Sequence, residues 1–216
     1  MNQCTTLDTS IRHFHDVCGL TEIFDEQSQI CIWQRDEPVG VTEYLQAIIG
    51  SGYTGPGFRK TVVVGEELSL DELPDLPGKA AMIRDMSGML AIYADLLGCE
   101  HIGMRLEIVD QAMCPRFHVD RTGIRMLCTY RGPGTEYLTE AAADRGRLGA
   151  ASMGLDDEIS GVILDPAGMG QAPTFSVVLL KGALWQGNEC LGAIHRSPKV
   201  PQAQCPRIAL VLDAIW

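Results

Sequence analysis

No two cysteines in this sequence are spaced as CxxC, and no stretch approaches the roughly eighteen consecutive apolar residues of a membrane span. The first absence argues against a zinc ribbon and against the dense disulfide framework of a small secreted domain. The second argues against a transmembrane helix. The opening segment, MNQCTTLDTSIRHFHD, also lacks a basic region followed by an apolar core, so no secretory leader is expected and the compartment expected is the cytoplasm.

Positive charge is scarce as well. Seventeen Lys and Arg stand against 28 Asp and Glu, for a net charge of −11. Nucleic-acid affinity rests on clustered basic side chains that displace counterions, so a nucleic-acid partner is not expected. The arginines are nevertheless uneven: Arg105, Arg116, Arg121, Arg125, Arg131, Arg145 and Arg147 fall in one stretch. An anion site and a solvated sheet rim are both open readings of it.

What is present is enough for a packed core, with 216 residues of which 46% are hydrophobic. Eight cysteines are scattered at 4, 18, 31, 99, 114, 128, 190 and 205, and most are expected to act as small buried hydrophobes.

The first half reads as mixed and partly helical. VTEYLQAIIG predicts a short helix ending at Gly50, TVVVG a brief strand, and LSLDELPDLPG an irregular connection. From Lys79 to Leu97 apolar residues recur at helical spacing, with Gly98 as the stop. After Gly98 the period becomes two. HIGMRLEIVD, RFHVD, IRMLCTYR, FSVVLLKG, LGAIHR and RIALVLDAIW read as strands separated by Gly/Pro turns. The expected fold class is therefore α+β, with a mixed segment over 1–98 and a mostly β sandwich or barrel over 99–216, packed as one compact unit.

The candidate chemistry centres on His118-Val119-Asp120. Residues two apart in a strand share a face, so this imidazole and carboxylate can converge on one ion, a donor pair suited to Fe(II), Mn(II) or Zn(II). Alone the triplet is weak, because chance supplies one in about a third of proteins of this composition. His195 in GAIHRSP is the best-placed third ligand. Arg207 opens the last strand on a face shared with Ala209 and Val211, where it can hold a carboxylate through two parallel hydrogen bonds. TYRGPGTEYL enforces a tight turn and brings the Thr129 and Tyr130 hydroxyls near the presumed pocket. Three further features compete or assist: a His13/His15 pair, Cys114 as a soft fourth ligand favouring zinc, and Glu136 or Glu189 as a general base.

The ordered blocks MCPRFHVD, TYRGPGTEYL, LLKGALWQGNE and IHRSP resemble the bacterial domain-of-unknown-function 1826 family over most of the chain. That resemblance adds a contextual link to metallochaperone GTPases and zinc limitation. More distantly, HxD, a distal His and an Arg a dozen residues later is similar to the Fe(II)/2-oxoglutarate oxygenases on a double-stranded β-helix, a jelly-roll or cupin-like fold. The resemblance implies His118, Asp120 and His195 as a metal triad, and Arg207 as the clamp for 2-oxoglutarate. It also offers Tyr130 as a hydrogen-bond partner of that cosubstrate, while Arg196, immediately after His195, departs from the pattern as a rival anion clamp. The expected substrate is a small molecule or a protein side chain. A zinc-homeostasis protein without redox chemistry is the alternative, and the oligomeric state stays open, a homodimer included.

Overall fold

The computed structural model describes residues 10–216, so Cys4 and most of the opening segment lie outside the described residues. The strands are β1 (Ile11–Phe14), β2 (Ile30–Trp33), β3 (Gly57–Val63), β4 (His101–Val109), β5 (Ile124–Arg131), β6 (Glu136–Leu138), β7 (Met169–Gln171), β8 (Val177–Lys181), β9 (His195–Arg196) and β10 (Arg207–Ile215). Two helices, α1 (Val41–Gly50) and α2 (Lys79–Leu97), precede β4. Both run over the residues their apolar spacing predicts, and α2 ends on Gly98 in the left-handed region (φ 68°), which a glycine enters without steric cost.

Seven strands form one large sheet in the order β1-β2-β8-β5-β10-β4-β3, antiparallel except for β1 beside β2. A small sheet, β7-β6-β9, lies apart from it. The first 98 residues thus supply three strands of the large sheet, two of which the sequence reading missed. β1 and β2 are four residues each, too short for a periodic signal.

Alternation sorts the faces of the large sheet. On one face Met104, Leu106, Met126, Leu210 and Leu212 meet Met82, Met86 and Tyr93 of α2 in the main core. Tyr93 also ties α2 to the sheet, donating to the Ile124 carbonyl at 2.5 Å and accepting from the Ala214 amide at 3.0 Å. On the opposite face the small sheet covers one half, where Ile30, Ile32, Val178 and Leu180 pack with Ala172 and Ala193. The β10-β4-β3 half of that face carries polar residues instead, and the site opens there.

Three of the seven described cysteines, Cys31, Cys99 and Cys128, are buried; Cys18, Cys114 and Cys190 are exposed. The expectation of burial for most of them therefore fails. No described helix is long and apolar enough to cross a membrane.

Candidate metal centre and its cavity

RFHVD does not form the regular strand its alternation predicts. Pro115 cannot donate to a ladder, and His118 makes an isolated antiparallel bridge with His195 instead. Each of the two residues donates its backbone N–H to the other's carbonyl, both at 3.0 Å. The pairing brings the imidazoles to 4.5 Å between ring centroids. Asp120 completes the group, with Oδ1 3.5 Å from His118 Nε2 and Oδ2 3.3 Å from His195 Nε2. One donor atom from each of the three lies within 4.8 Å of the others.

The ring orientations suit metal binding. His118 Nδ1 contacts the Arg116 carbonyl at 2.9 Å and His195 Nδ1 contacts the Ala193 carbonyl at 3.0 Å. A carbonyl only accepts, so both Nδ1 atoms carry the hydrogen, and the two Nε2 atoms turn toward Asp120. This is the arrangement in which a backbone carbonyl fixes the tautomer of a metal-ligating histidine.

Charge reinforces the centre. Burial works to raise the Asp120 pKa, yet hydrogen bonds from His118 and His195 and the charges of His195 and Arg125 hold it well below the usual carboxylate range. Burial likewise works to lower the His118 pKa, but Asp120 and the Arg116 carbonyl outweigh it and raise it. Arg125 donates to Asp120 Oδ2 and grips Asp213 with two nitrogens, at 2.7 and 2.9 Å. Asp120 is thereby held from behind by a guanidinium that is itself fixed.

A second brace lies behind the histidines. Asp157, 4% exposed, accepts from the Phe117 amide at 2.7 Å and from Arg196 at 2.9 Å. It therefore joins the residue before His118 to the residue after His195. Nothing in the local sequence marks Asp157, whose role depends on two partners 39 and 40 positions away.

A cavity of about 90 Å³ opens beside the histidines, lined among others by Leu127, Thr129, Arg207, Ala209 and Val211. Arg207 sits at one end and is 5% exposed. It donates to Thr129 Oγ1 at 3.0 Å and to the Pro133 carbonyl at 2.8 Å, with Thr135 Oγ1 at 3.5 Å. No described carboxylate lies within ion-pair distance of it, and burial lowers its pKa. Gly132 is needed at this corner: its φ is +82°, and a Cβ there would stand 3.2 Å from the Arg207 Cβ.

Two expected residues are placed elsewhere. Tyr130 follows Thr129 directly, and neighbours in a strand point to opposite faces, so the two hydroxyls cannot share the cavity. Tyr130 is buried on the α2 side and donates to Asp85 at 2.7 Å, where Arg35 also binds. It is not in reach of a cosubstrate beside Arg207. Arg196 borders the cavity, but its guanidinium is bound to Glu136, Asp157 and Glu158, so it is not free to clamp another anion.

The remaining candidates are also accounted for. Glu136 is engaged by Arg196, and Glu189 is exposed. His13 contacts Gln34 and Tyr137, His15 is exposed, and neither belongs to the converging donor group. Cys114 borders the cavity, but its thiol is not among the converging donor atoms.

Comparison with known proteins gives a family and, from one solved structure, a likeness of fold. The profile of a family described as a protein of unknown function (DUF1826) matches residues 15–213. No curated protein matches the chain. Among solved structures, a candidate oxygenase from Shewanella oneidensis aligns at 11% identity over 94% of this chain and 89% of its own, with a TM-score of 0.50. A prolyl-4-hydroxylase from Pseudomonas putida aligns at 8% identity over 92% and 93%, with a TM-score of 0.47. An Arabidopsis thaliana dioxygenase for auxin oxidation, solved with 2-oxoglutarate, aligns at 11% over 95% and 91%, also at 0.47.

Proposed function

The chain belongs to the DUF1826 family, and we propose that it is an Fe(II)- and 2-oxoglutarate-dependent oxygenase built on a double-stranded β-helix. The observation that carries the reading is Arg207: a buried guanidinium with no carboxylate partner, in the same cavity as His118 and His195. Burying an uncompensated charge is costly, and a carboxylate from a bound ligand removes that cost.

The residues present fit the group they would hold. His118 and His195 offer Nε2, and Asp120 offers a carboxylate oxygen while Arg125 holds its other side. Three protein ligands leave positions for a 2-oxo acid and O₂, which a closed four-ligand site would not. Arg207 would bind the distal carboxylate, with Thr129 and Thr135 orienting the guanidinium. Leu127, Ala209 and Val211 offer an apolar floor for the methylene chain and exclude water beneath it. When bound, Fe(II) with 2-oxoglutarate and O₂ supplies oxidation of a C–H bond, releasing succinate and CO₂.

A zinc protein without redox chemistry is the second reading. It asks for Cys114 as a fourth ligand, and the thiol's position outside the donor cluster favours the oxygenase. The test is succinate formation from 2-oxoglutarate by the Fe(II)-loaded protein in air. Wild type is expected to form it, Asp120→Ala is not, and the absence of any succinate with wild type refutes the assignment.

A further inference from the structure

Arg59 on β3 and Arg105 on β4 are register partners, directly opposite each other in the large sheet. Opposed residues of antiparallel strands share a face, and like charges so placed repel. In a chain with 13 arginines and a net charge of −11, such a pair calls for a compensating anion. Arg105 finds only partial compensation, with Glu107 and Asp213 each at 3.3 Å. Arg59 is exposed, and among the described residues no ion pair is formed by it.

Arg105 is the member of the pair that reaches the metal centre, with Arg59 opposite it on β3. Arg105 lines the same cavity as His118 and His195, and it shares Asp213 with Arg125, the residue that holds Asp120. It lies on the half of the sheet face that the small sheet leaves uncovered, separated from Arg207 along the floor by Ala209 and Val211. Arg207 and the Arg59/Arg105 pair are therefore two distinct cationic positions on one face, one buried and one opening to solvent.

We propose that Arg59 and Arg105 hold the carboxylate of the substrate to be oxidised, and that this substrate is a small monoanionic organic acid. The proposal rests on the oxygenase reading for the word substrate, while the anion site stands on its own geometry. The charge balance favours a carboxylate over a phosphate monoester. Arg105 is paired with Glu107 and Asp213, and Arg125 with Asp213 and Asp120, so Arg59 is the guanidinium of the three without an ion pair among the described residues, and a single positive charge is free to meet a ligand. A dianionic phosphate would overshoot it.

The test is calorimetric titration of protein saturated with Mn(II) and 2-oxoglutarate. The probes are acetate, benzoate, phenylacetate and cyclohexanecarboxylate, each paired with its neutral amide, together with phenyl phosphate. At least one carboxylate is expected to bind in the millimolar range or tighter, and at least tenfold better than its amide and than phenyl phosphate. Arg59→Gln and Arg105→Gln should each weaken it about tenfold, with metal and 2-oxoglutarate affinity within twofold of wild type. Arg59→Glu separates binding from folding, since it places a carboxylate opposite Arg105. It should raise the melting temperature and abolish the added carboxylate's binding. No carboxylate binding in the millimolar range, equal binding of acid and amide, or unchanged binding by Arg59→Gln and Arg59→Glu overturns the proposal. Stronger binding of phenyl phosphate overturns the choice of carboxylate. The titration is repeated without metal and 2-oxoglutarate: carboxylate binding there, in a protein that binds no 2-oxoglutarate, means that the oxygenase reading has failed and the anion site has not.

Discussion

His118 and His195 exchange backbone hydrogen bonds, 3.0 Å each way, across an isolated bridge at the edge of the small sheet, and so hold their imidazoles 4.5 Å apart. The backbone aligns the two rings. Replacing either imidazole leaves that bridge intact. His118→Ala and His195→Ala should therefore each lower divalent-metal affinity by about 100-fold or more, since even residues that only orient a ligand contribute about 10–100-fold. Both should keep a melting temperature close to wild type. Calorimetry with Mn(II) and thermal unfolding of the metal-free protein check the two parts, and a large loss of stability without loss of metal affinity contradicts them.

Arg207 should matter for the cosubstrate and not for the metal. A hydrogen bond to a charged group is worth about 1.5–3 kcal/mol, so Arg207→Gln is expected to weaken 2-oxoglutarate about 10- to 100-fold. Arg207→Lys keeps the charge but loses the planar fork and should recover only part of it. Mn(II) affinity, measured without 2-oxoglutarate, should stay unchanged in both.

Tyr130→Phe tests the opposite assignment. Removing the hydroxyl deprives Asp85 of one donor at a buried position, which should cost about 1–2 kcal/mol of stability by urea unfolding. Arg35 remains bound to Asp85, which keeps the cost from growing further. Binding of 2-oxoglutarate should be untouched, and a tenfold weakening would return Tyr130 to the cavity.

Alkaline pH should unfold the protein through its buried phenols. Burial pushes Tyr44 up to about 12, raises Tyr93 further, and holds Tyr130 well above its ordinary value, against about 10 in the unfolded chain. Groups with raised folded pKa values contribute stability that is complete below the unfolded value and is lost as pH rises above it. Stability from urea melts should be flat with respect to these groups below about pH 9.5. It should then fall by up to about 1.4 kcal/mol per pH unit for each such phenol above pH 10. The tyrosinate absorbance of the folded protein should lag that of the urea-unfolded chain, and superposed titration curves would contradict it.

These sites differ in how far the sequence discloses them, and the reason is physical. α2 was legible to its ends because nineteen residues give five helical turns of pattern and a glycine stop. β4 and β10 were legible because nine residues of alternation distinguish two faces. His118, Asp120 and His195 could be named because their residue types are rare and their chemistry specific. Their geometry could not, since Pro115 breaks the strand and the bridge to His195 is non-local. Tyr130 does not share the cavity with Thr129, because adjacent residues of a strand diverge. The register shift where Ile208 and Ala209 face Arg131 and Thr129 leaves Tyr130 without a counterpart, a bulge no local pattern announces. Asp157 was invisible because a buried aspartate bridging two distant segments looks, in sequence, like any other acidic residue in a loop. Arg59 and Arg105 were likewise readable only as separate charges, since their opposition depends on the register of β3 with β4.

The most direct test of the central claim is an anaerobic spectroscopic titration. Fe(II) is added to metal-free wild-type protein, then 2-oxoglutarate, and the visible metal-to-ligand charge-transfer band of a chelated 2-oxo acid is followed. The account predicts a saturable band at one equivalent of Fe(II), absent in Asp120→Ala and shifted to higher 2-oxoglutarate concentration in Arg207→Gln. Stoichiometric Fe(II) binding with no such band at any 2-oxoglutarate concentration would contradict it.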